Sequence, residues 1–546
     1  MADRKYIFVI GGVMSGVGKG IASASIGLIL QARGLKVTAV KIDPYINVDA
    51  GTMNPTEHGE VYVTSDGDET DQDIGNYERF LNIDIYRDNY MTTGRVYRSV
   101  IERERNLEYG GKCVEVVPHI PLEVIGRIKG AAEKADADVT IVEVGGTVGE
   151  YQNILFLEAA RMMKLNNTDD VISILVSYLP VPSKIGEMKT KPTQTAAKML
   201  NSAGIQPDFI LCRADQPIDD PRKEKIAMFC NVHKEEIISA PDADIVYDIP
   251  LNFEKENLSE KILKKLHLEI TPLDLSPWQS LIEKIKNTSG SIKIGIIGKY
   301  FETGDFILSD AYISVIESLK YAAWHNGLKP EIHWLNSDIY DGHGEKLEEL
   351  KNYNCLVVPG GFGSRGVEGK IAAIKYAREN KIPFLGLCYG MQLASLEFAR
   401  HVCGLNEAHT TEINQETTNP IIHIMPEQAE KLAKKQYGNT MRLGNYPCVL
   451  KPGSLAAKLY DKLEVNERHR HRYEFNNDYR DMMEEAGFIV SGTSPDNQLV
   501  EIIELSENIH PFFVATQFHP EFKSRPLDPH PLFLGLIKAG LNRLRA

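Results

Sequence analysis

Tyr6-Ile-Phe-Val-Ile-Gly-Gly-Val-Met-Ser-Gly-Val-Gly-Lys-Gly20 runs from five apolar residues through a glycine-rich turn to a lysine. Tyr6–Ile10 predicts a short buried strand, and Gly20–Arg33 predicts a helix ended by Gly34. A glycine-rich turn between a strand and a helix lets backbone N–H groups approach phosphate oxygens, and the helix N-terminus adds a favourable dipole. Lys19 can then reach β- and γ-phosphates. The turn departs from the usual phosphate-loop spacing: five residues separate Gly12 from Gly18, and Gly20 follows the lysine where Ser or Thr is usual.

Outward from this stretch the pattern repeats. Strands are expected at Lys36–Val40, Val139–Val144, Val171–Val176 and Phe209–Cys212, with helical patterns between them. Such alternation predicts α/β architecture, a mainly parallel sheet with helices on both faces. It restarts at Ile292–Ile297, with helices at Asp310–Ala323 and Val367–Asn380 and strands at Cys355–Val358 and Pro383–Leu387. Two domains of this class are therefore expected, a P-loop-like one at 1–266 and a second at 292–546. A linker at 267–291 carries Pro272, Pro277 and a short helical pattern near Trp278–Lys286. The polar stretch Asn406–Asn439 reads as a long loop or lid.

The bulk numbers narrow the function. The 546 residues are 43% hydrophobic and 25% charged, and the net charge is −14. An acidic chain disfavours broad nucleic-acid binding, so an anionic substrate needs a local cluster of cations. Seven cysteines stand singly, without CxxC spacing, which disfavours a disulfide framework or zinc site and fits a reducing cytoplasm. Met1-Ala-Asp-Arg-Lys5 leads into a strand without an apolar signal region. No apolar run reaches the ~20 residues that cross a bilayer, so no membrane association is expected.

Phosphates held for transfer call for Mg²⁺, hence carboxylates. Asp66-Gly-Asp-Glu-Thr-Asp-Gln-Asp73 offers them but reads equally as a solvated acidic loop. Glu143 ends the apolar run Val139–Val142, where an unpaired acid is costly to bury. Lys189-Thr-Lys-Pro-Thr-Gln194, with Lys225, could clamp an anion, although alone the motif reads first as a solvated turn.

In the second half, Gly386-Leu-Cys-Tyr-Gly390 lies between strand Pro383–Leu387 and helix Met391–Arg400. A G-x-C-x-G elbow projects its sulfur at a helix N-terminus, which favours the thiolate nucleophile. Phe518-His-Pro-Glu-Phe522 supplies a base, His519, and an orienting acid, Glu521, just after strand Phe512–Ala515. Gly360-Gly-Phe-Gly363 can present N–H donors to an oxyanion. Together these predict acyl transfer, with Cys388 attacking a carboxamide and releasing ammonia.

Pro359–Gly363, Gly386–Gly390 and Phe518–Glu521 resemble the class I glutamine amidotransferases. Gly11–Gly20, Lys41–Asp49, Gly51–Met53, His58–Glu60, Asp71–Asp73, Glu143–Gly149, Lys189–Gln194, Thr440–Gly444 and Arg468–Tyr473 together resemble the CTP synthase family. The resemblance covers nearly the whole chain. It implies UTP, ATP and glutamine giving CTP, ADP, phosphate and glutamate. It assigns Ser15, Gly16, Val17, Gly18, Lys19, Gly20 and Ile21 to the nucleotide phosphates, Asp73 to ATP and, with Glu143, to Mg²⁺. Glu150, Tyr151, Gln152, Lys189, Thr190, Lys191, Pro192, Thr193, Gln194 and Lys225 match the UTP/CTP positions, partly completed by a neighbouring subunit. Cys388, His519 and Glu521 match the triad, and Gly361, Tyr389, Gly390, Met391, Gln392, Glu412 and Arg472 the glutamine site. A cytoplasmic homotetramer, GTP activation, CTP feedback and an internal ammonia path are implied as well; filament assembly stays open.

Two positions depart from the family pattern. Gly149-Glu-Tyr-Gln152 stands where Gly-Asp-Ile-Glu is usual, which keeps the acid at Glu150 and loses the one at 152. Ile313 stands where a lysine often serves GTP activation, after a longer Gly298–Asp310 segment. A different ATP-dependent amidotransferase would lack the Lys41–Asp49 and Lys189–Gln194 motifs. A structural protein on a dead synthetase fold would have lost some of Lys19, Asp73, Glu143 and the triad.

Overall fold

The computed structural model describes residues 4–184, 186–299, 302–303, 306–307, 309–425 and 441–545. The chain divides into two compact units, Met1–Ala50 with Asp73–Ile282, and Gly51–Gln72 with Glu283–Ala546. Both are α/β. Among the described residues no helix is long and apolar enough to cross a membrane.

The first unit is built on seven parallel strands. Their spatial order is Tyr90–Thr92, Val37–Asp43, Val139–Val144, Lys5–Gly11, Val171–Tyr178, Phe209–Ala214 and Ile237–Pro241. Lys5–Gly11 is buried along its whole length, as a central strand covered on both faces must be. The helix expected from Gly20 runs Lys19–Gln31, and its N-cap Gly18 sits at φ 81°, a left-handed conformation that glycine adopts without strain. Parallel register brings Val9 opposite Glu143, so the glycine turn and the Glu143 carboxylate emerge at the same C-terminal edge, where open α/β sheets bind ligands.

The second unit has a nine-stranded sheet. Five parallel strands come in the order Lys329–Asn336, Ser291–Gly298, Cys355–Val358, Phe384–Leu387 and Phe513–Thr516. Four antiparallel ones extend it: Val500–Leu505, Phe488–Thr493, Arg442–Leu450 and Glu464–His471. That antiparallel extension was not expected.

Other differences have packing causes. The helix Ser276–Lys286, read as part of a linker, buries Trp278, whose indole donates to Tyr247 O at 2.7 Å and packs on Phe80 and Tyr247. It belongs to the first unit's apolar interior. Residues 51–72, expected in the first domain, pack in the second unit as the hairpin Tyr62–Val63 with Glu69–Thr70. Within the stretch read as a lid, Ala408–Thr410 and Asn419–Ile424 form a small sheet with Tyr473–Phe475. Its remainder, 426–440, and residues 300–301, 304–305 and 308 of the longer segment, lie outside the described residues.

Candidate functional sites

At the edge of the first sheet, Lys19 Nζ donates to Gly146 O at 2.9 Å. Burial lowers the Lys19 pKa, against the pull of the Glu143 charge. Beside it the Lys41 ammonium pairs with Asp73 and, at 2.9 Å, with Glu143, while Tyr77 donates to the other Glu143 oxygen. Burial would raise Asp73, but the Lys41 charge and hydrogen bond outweigh it and hold the carboxyl below its usual range. At Glu143 burial dominates and lifts the carboxyl. A β-carbon at Gly20 would collide with Asp73 Oδ1. That explains the glycine after the lysine: the space a Ser or Thr would fill is taken by a carboxylate. Mg²⁺ asks for only one or two protein carboxylates when phosphates and water complete its shell, so the Asp73 and Glu143 oxygens fit it.

The remaining predicted residues of this unit have local partners of their own. Ser15 and Gly16 are exposed at the turn and Val17 is buried. Thr193 Oγ1 lies 2.9 Å from Ser177 Oγ, whose strand backs Gly12, and Gln194 Nε2 donates to Thr190 Oγ1 at 3.1 Å. Pro192 starts the helix Lys191–Ser202. Lys189 pairs with Glu187 at 2.5 Å, and Lys225, on helix Asp220–Cys230, adds its charge to that carboxylate. Glu150 accepts from Thr147 Oγ1 at 2.6 Å and from Gln152 Nε2 at 3.4 Å, whereas Tyr151 is 96% exposed and reaches into solvent. The sequence reading missed an apolar cavity of about 330 Å³ beside the turn, lined by Val17, Ile21, Val246, Ile249 and Phe253. Arg213 borders it, donating to Gly16 O at 3.0 Å and to Asp242 at 2.8 Å. No local motif marks this cavity, because it is assembled from four separated stretches.

In the second unit Cys388 caps the helix Tyr389–His401 at φ 50°, ψ −99°. A non-glycine residue held there stores strain of order 1–3 kcal/mol. The tight turn requires Gly386 and Gly390, whose β-carbons would press on the turn's own backbone and on Val358 O. Cys388 faces a cavity of about 220 Å³, together with His519, Gly360 and Gly361, Gln392, Glu412 and Arg472. His519 Nδ1 lies 2.7 Å from Glu521 Oε1. Burial alone would lower His519, but the Glu521 carboxylate and then Cys388 raise it to about 10. Glu412 Oε1 accepts from Gly363 N at 2.8 Å, and Tyr389 OH donates to Gly363 O at 2.9 Å. The glycine loop is thus held at both the N–H and the carbonyl of Gly363. The Met391 side chain is wholly buried in the core, away from the cavity.

The sequence reading also missed Gln517, whose amide donates to Cys388 Sγ at 3.6 Å and accepts from Gln392 at 3.2 Å. It lies two residues before His519, which is the only hint the sequence offers.

Residues 5–268 match the family described as CTP synthase N-terminus, and residues 307–539 match glutamine amidotransferase class-I. The chain is 51% identical to a CTP synthase of Acaryochloris marina over 539 residues, 98% of this chain and 95% of that one. It is 51% identical to a CTP synthase of Methanocaldococcus jannaschii over 549 residues, 99% of each. Among solved structures, the glutaminase domain of Trypanosoma brucei CTPS with bound acivicin matches at 34% identity and TM-score 0.43, covering 46% of this chain and 94% of that one.

Proposed function

The chain belongs to the CTP synthase family, and we propose on that premise how its residues share out the amination of UTP to CTP with glutamine as nitrogen source. The turn Gly16–Ile21 binds the ATP phosphates through backbone N–H groups and Lys19, with Ser15 facing the pyrimidine nucleotide, and the apolar cavity beside Val17 takes the adenine. Lys189–Gln194, Lys225 and Glu150–Gln152 hold the pyrimidine nucleotide, completed by a neighbouring subunit of a tetramer. UTP O4 is a poor leaving group, and transfer of the ATP γ-phosphoryl to it makes it a good one. Mg²⁺, held by Asp73 and Glu143, would neutralise charge on the moving phosphoryl group. Lys19 stabilises the same charge from the turn, and ammonia then displaces phosphate at C4.

In the second unit Cys388 attacks the glutamine carboxamide, forming a γ-glutamyl thioester. His519 gives its proton to the departing ammonia, Glu521 orients the imidazole, and water hydrolyses the thioester. Backbone N–H groups of the Gly360–Gly361 stretch stabilise the oxyanion. Gln392, Glu412 and Arg472 bind the amino-acid end of glutamine. GTP activates this half and CTP inhibits the first.

The observation that carries this reading is the convergence of a strained Cys388, a hydrogen-bonded His519–Glu521 pair and Gly360–Gly361 on one cavity. A spectrophotometric assay for CTP tests it, with glutamine or ammonium as donor and with or without GTP. Cys388→Ala is expected to lose glutamine-dependent synthesis and keep the ammonium-dependent reaction. Loss of both in folded protein would overturn the division of roles.

A further inference from the structure

Strand Glu464–His471 passes directly behind the thiol and the imidazole. Successive side chains of a strand alternate between faces, so Arg468 and Arg470 leave it on one side. Their carbonyls serve the catalytic pair: Arg468 O accepts from His519 N at 2.8 Å, and Arg470 O lies 3.7 Å from Cys388 Sγ. Their guanidinium groups reach the hairpin formed by residues 62–70. Arg468, 0% exposed, donates to Tyr62 OH at 3.0 Å, Val63 O at 3.1 Å and Ser65 Oγ at 2.9 Å. Arg470 Nε donates to Glu69 Oε1 at 2.8 Å.

A second route runs through rings. Tyr62 OH donates to Phe522 O at 2.8 Å, and the two rings meet edge to face at 4.9 Å. Phe522 in turn stacks on His519 at 5.1 Å and 16°. The hairpin is itself pinned. Thr70 Oγ1 donates to Tyr62 O, Thr64 N donates to Asp68 O, and a β-carbon at Gly51 would collide with the Glu69 carboxylate.

We propose that the hairpin Tyr62–Thr70 is a positioning element of the glutamine-hydrolysing centre: Glu69 fixes Cys388 through Arg470, and Tyr62 fixes His519 through Phe522 and Arg468. The proposal rests on the acyl-transfer reading of Cys388. It means that the hydrolytic centre is completed by sequence lying more than two hundred residues upstream of the rest of its unit. The hairpin itself ends at Thr70, three residues before Asp73 in the sequence.

The test uses the full-length protein with Glu69→Gln, Glu69→Asp and Tyr62→Phe. Glu69→Gln is expected to lower kcat for glutamine hydrolysis about ten- to hundredfold, the scale of a misplaced reacting group, with KM changed less than about twofold. Glu69→Asp should recover part of the loss. Tyr62→Phe, which keeps the ring and removes only the hydroxyl, should give a smaller fall in kcat. In both Glu69→Gln and Tyr62→Phe, iodoacetamide labelling of Cys388 should slow and its pH profile move, while ammonium-dependent CTP formation stays near the parent rate. That last rate also reports folding, and if Glu69→Gln does not fold, Tyr62→Phe decides alone. Unchanged kcat and labelling in folded variants, or a raised KM with unchanged kcat, would overturn the proposal. Failure of the underlying reading is separate: it would appear as glutamine hydrolysis surviving Cys388→Ala.

Discussion

His519 and Lys370 are both buried bases, yet their surroundings push them in opposite directions. At His519 the Glu521 carboxylate and Cys388 overcome burial and lift the imidazole to about 10, so it carries its proton at neutral pH. In the proposed mechanism, that proton goes to the departing ammonia. The rate of glutamine hydrolysis should therefore hold to high pH and fall as pH rises through about 10. Glu521→Gln removes the larger of the two raising charges, so the alkaline limb of the pH–rate profile should move to lower pH; an unmoved limb would count against His519 as the acid. Lys370 is 0% exposed, with no hydrogen-bond partner for Nζ among the described residues; the Tyr389 ring lies 5.5 Å from it, and the Asp338 carboxylate pulls its pKa up only in part. Burial, aided by the Lys299 charge, lowers it to about 7. Its folded-state pKa lies below the unfolded value, so protonation opposes folding. The penalty is absent above about 10.5, grows as pH falls, and is complete below about 7. Lys370→Met should raise the melting temperature, by a margin that widens from pH 10 to pH 7. At about 1.4 kcal/mol per pKa unit the gain is a few kcal/mol at neutral pH, and chemical denaturation at the two pH values measures it. The grouping of Cys388, His519 and Glu521 on one cavity was legible because these residues sit in short motifs at strand ends. Lys370 was not, since one lysine in a helical pattern looks like any surface lysine until the fold buries it.

At the scale of elements, the strand–turn–helix unit at residues 5–31 was readable because each part has a local cause: an apolar run, glycines at positive φ, and then a helical repeat. The hairpin 62–70 was not readable. Its two-residue strands are too short to show alternation, and its partners lie some 400 residues away. The acidic run 66–73 is divided for the same reason. It reads as one loop, yet Glu69 serves Arg470 in the second unit while Asp73 opens a helix in the first and pairs with Lys41. Gly20 carries the sharpest prediction at this scale. A serine there would restore the usual residue after the lysine, though not the usual spacing, but its β-carbon would displace the Asp73 carboxylate. Gly20→Ser should therefore depress ammonium-dependent CTP formation by about a hundredfold or more, the cost of misplacing a group near the transferred phosphoryl. Glutamine hydrolysis measured without nucleotide should stay unchanged. A Gly20→Ser protein of normal synthetic rate would mean that Asp73 has no part in holding the phosphates.

For the whole molecule, both α/β units were legible from the alternation of strands and helices, and the membership of residues 51–72 in the second was not. Two sites in one chain have a chemical purpose. Free ammonia near neutral pH is largely ammonium, which is no nucleophile, so nitrogen released to bulk water is mostly lost to synthesis. If each chain passes its own ammonia inward, two defects in different chains should not repair each other. Lys19→Ala should abolish synthesis from either donor and keep glutamine hydrolysis, whereas Cys388→Ala should keep only synthesis from ammonium. An equimolar mixture contains both activities, one on each kind of chain. With glutamine as donor at neutral pH it should make CTP at no more than about a tenth of the wild-type rate, because the released ammonia must be recaptured from solution rather than delivered at high effective concentration. Raising the pH increases the fraction of free base and should narrow the gap. A mixture that matches the wild type at neutral pH would show that nitrogen reaches the nucleotide through bulk water, and the reason for housing both centres on one polypeptide would then lie in regulation and not in delivery.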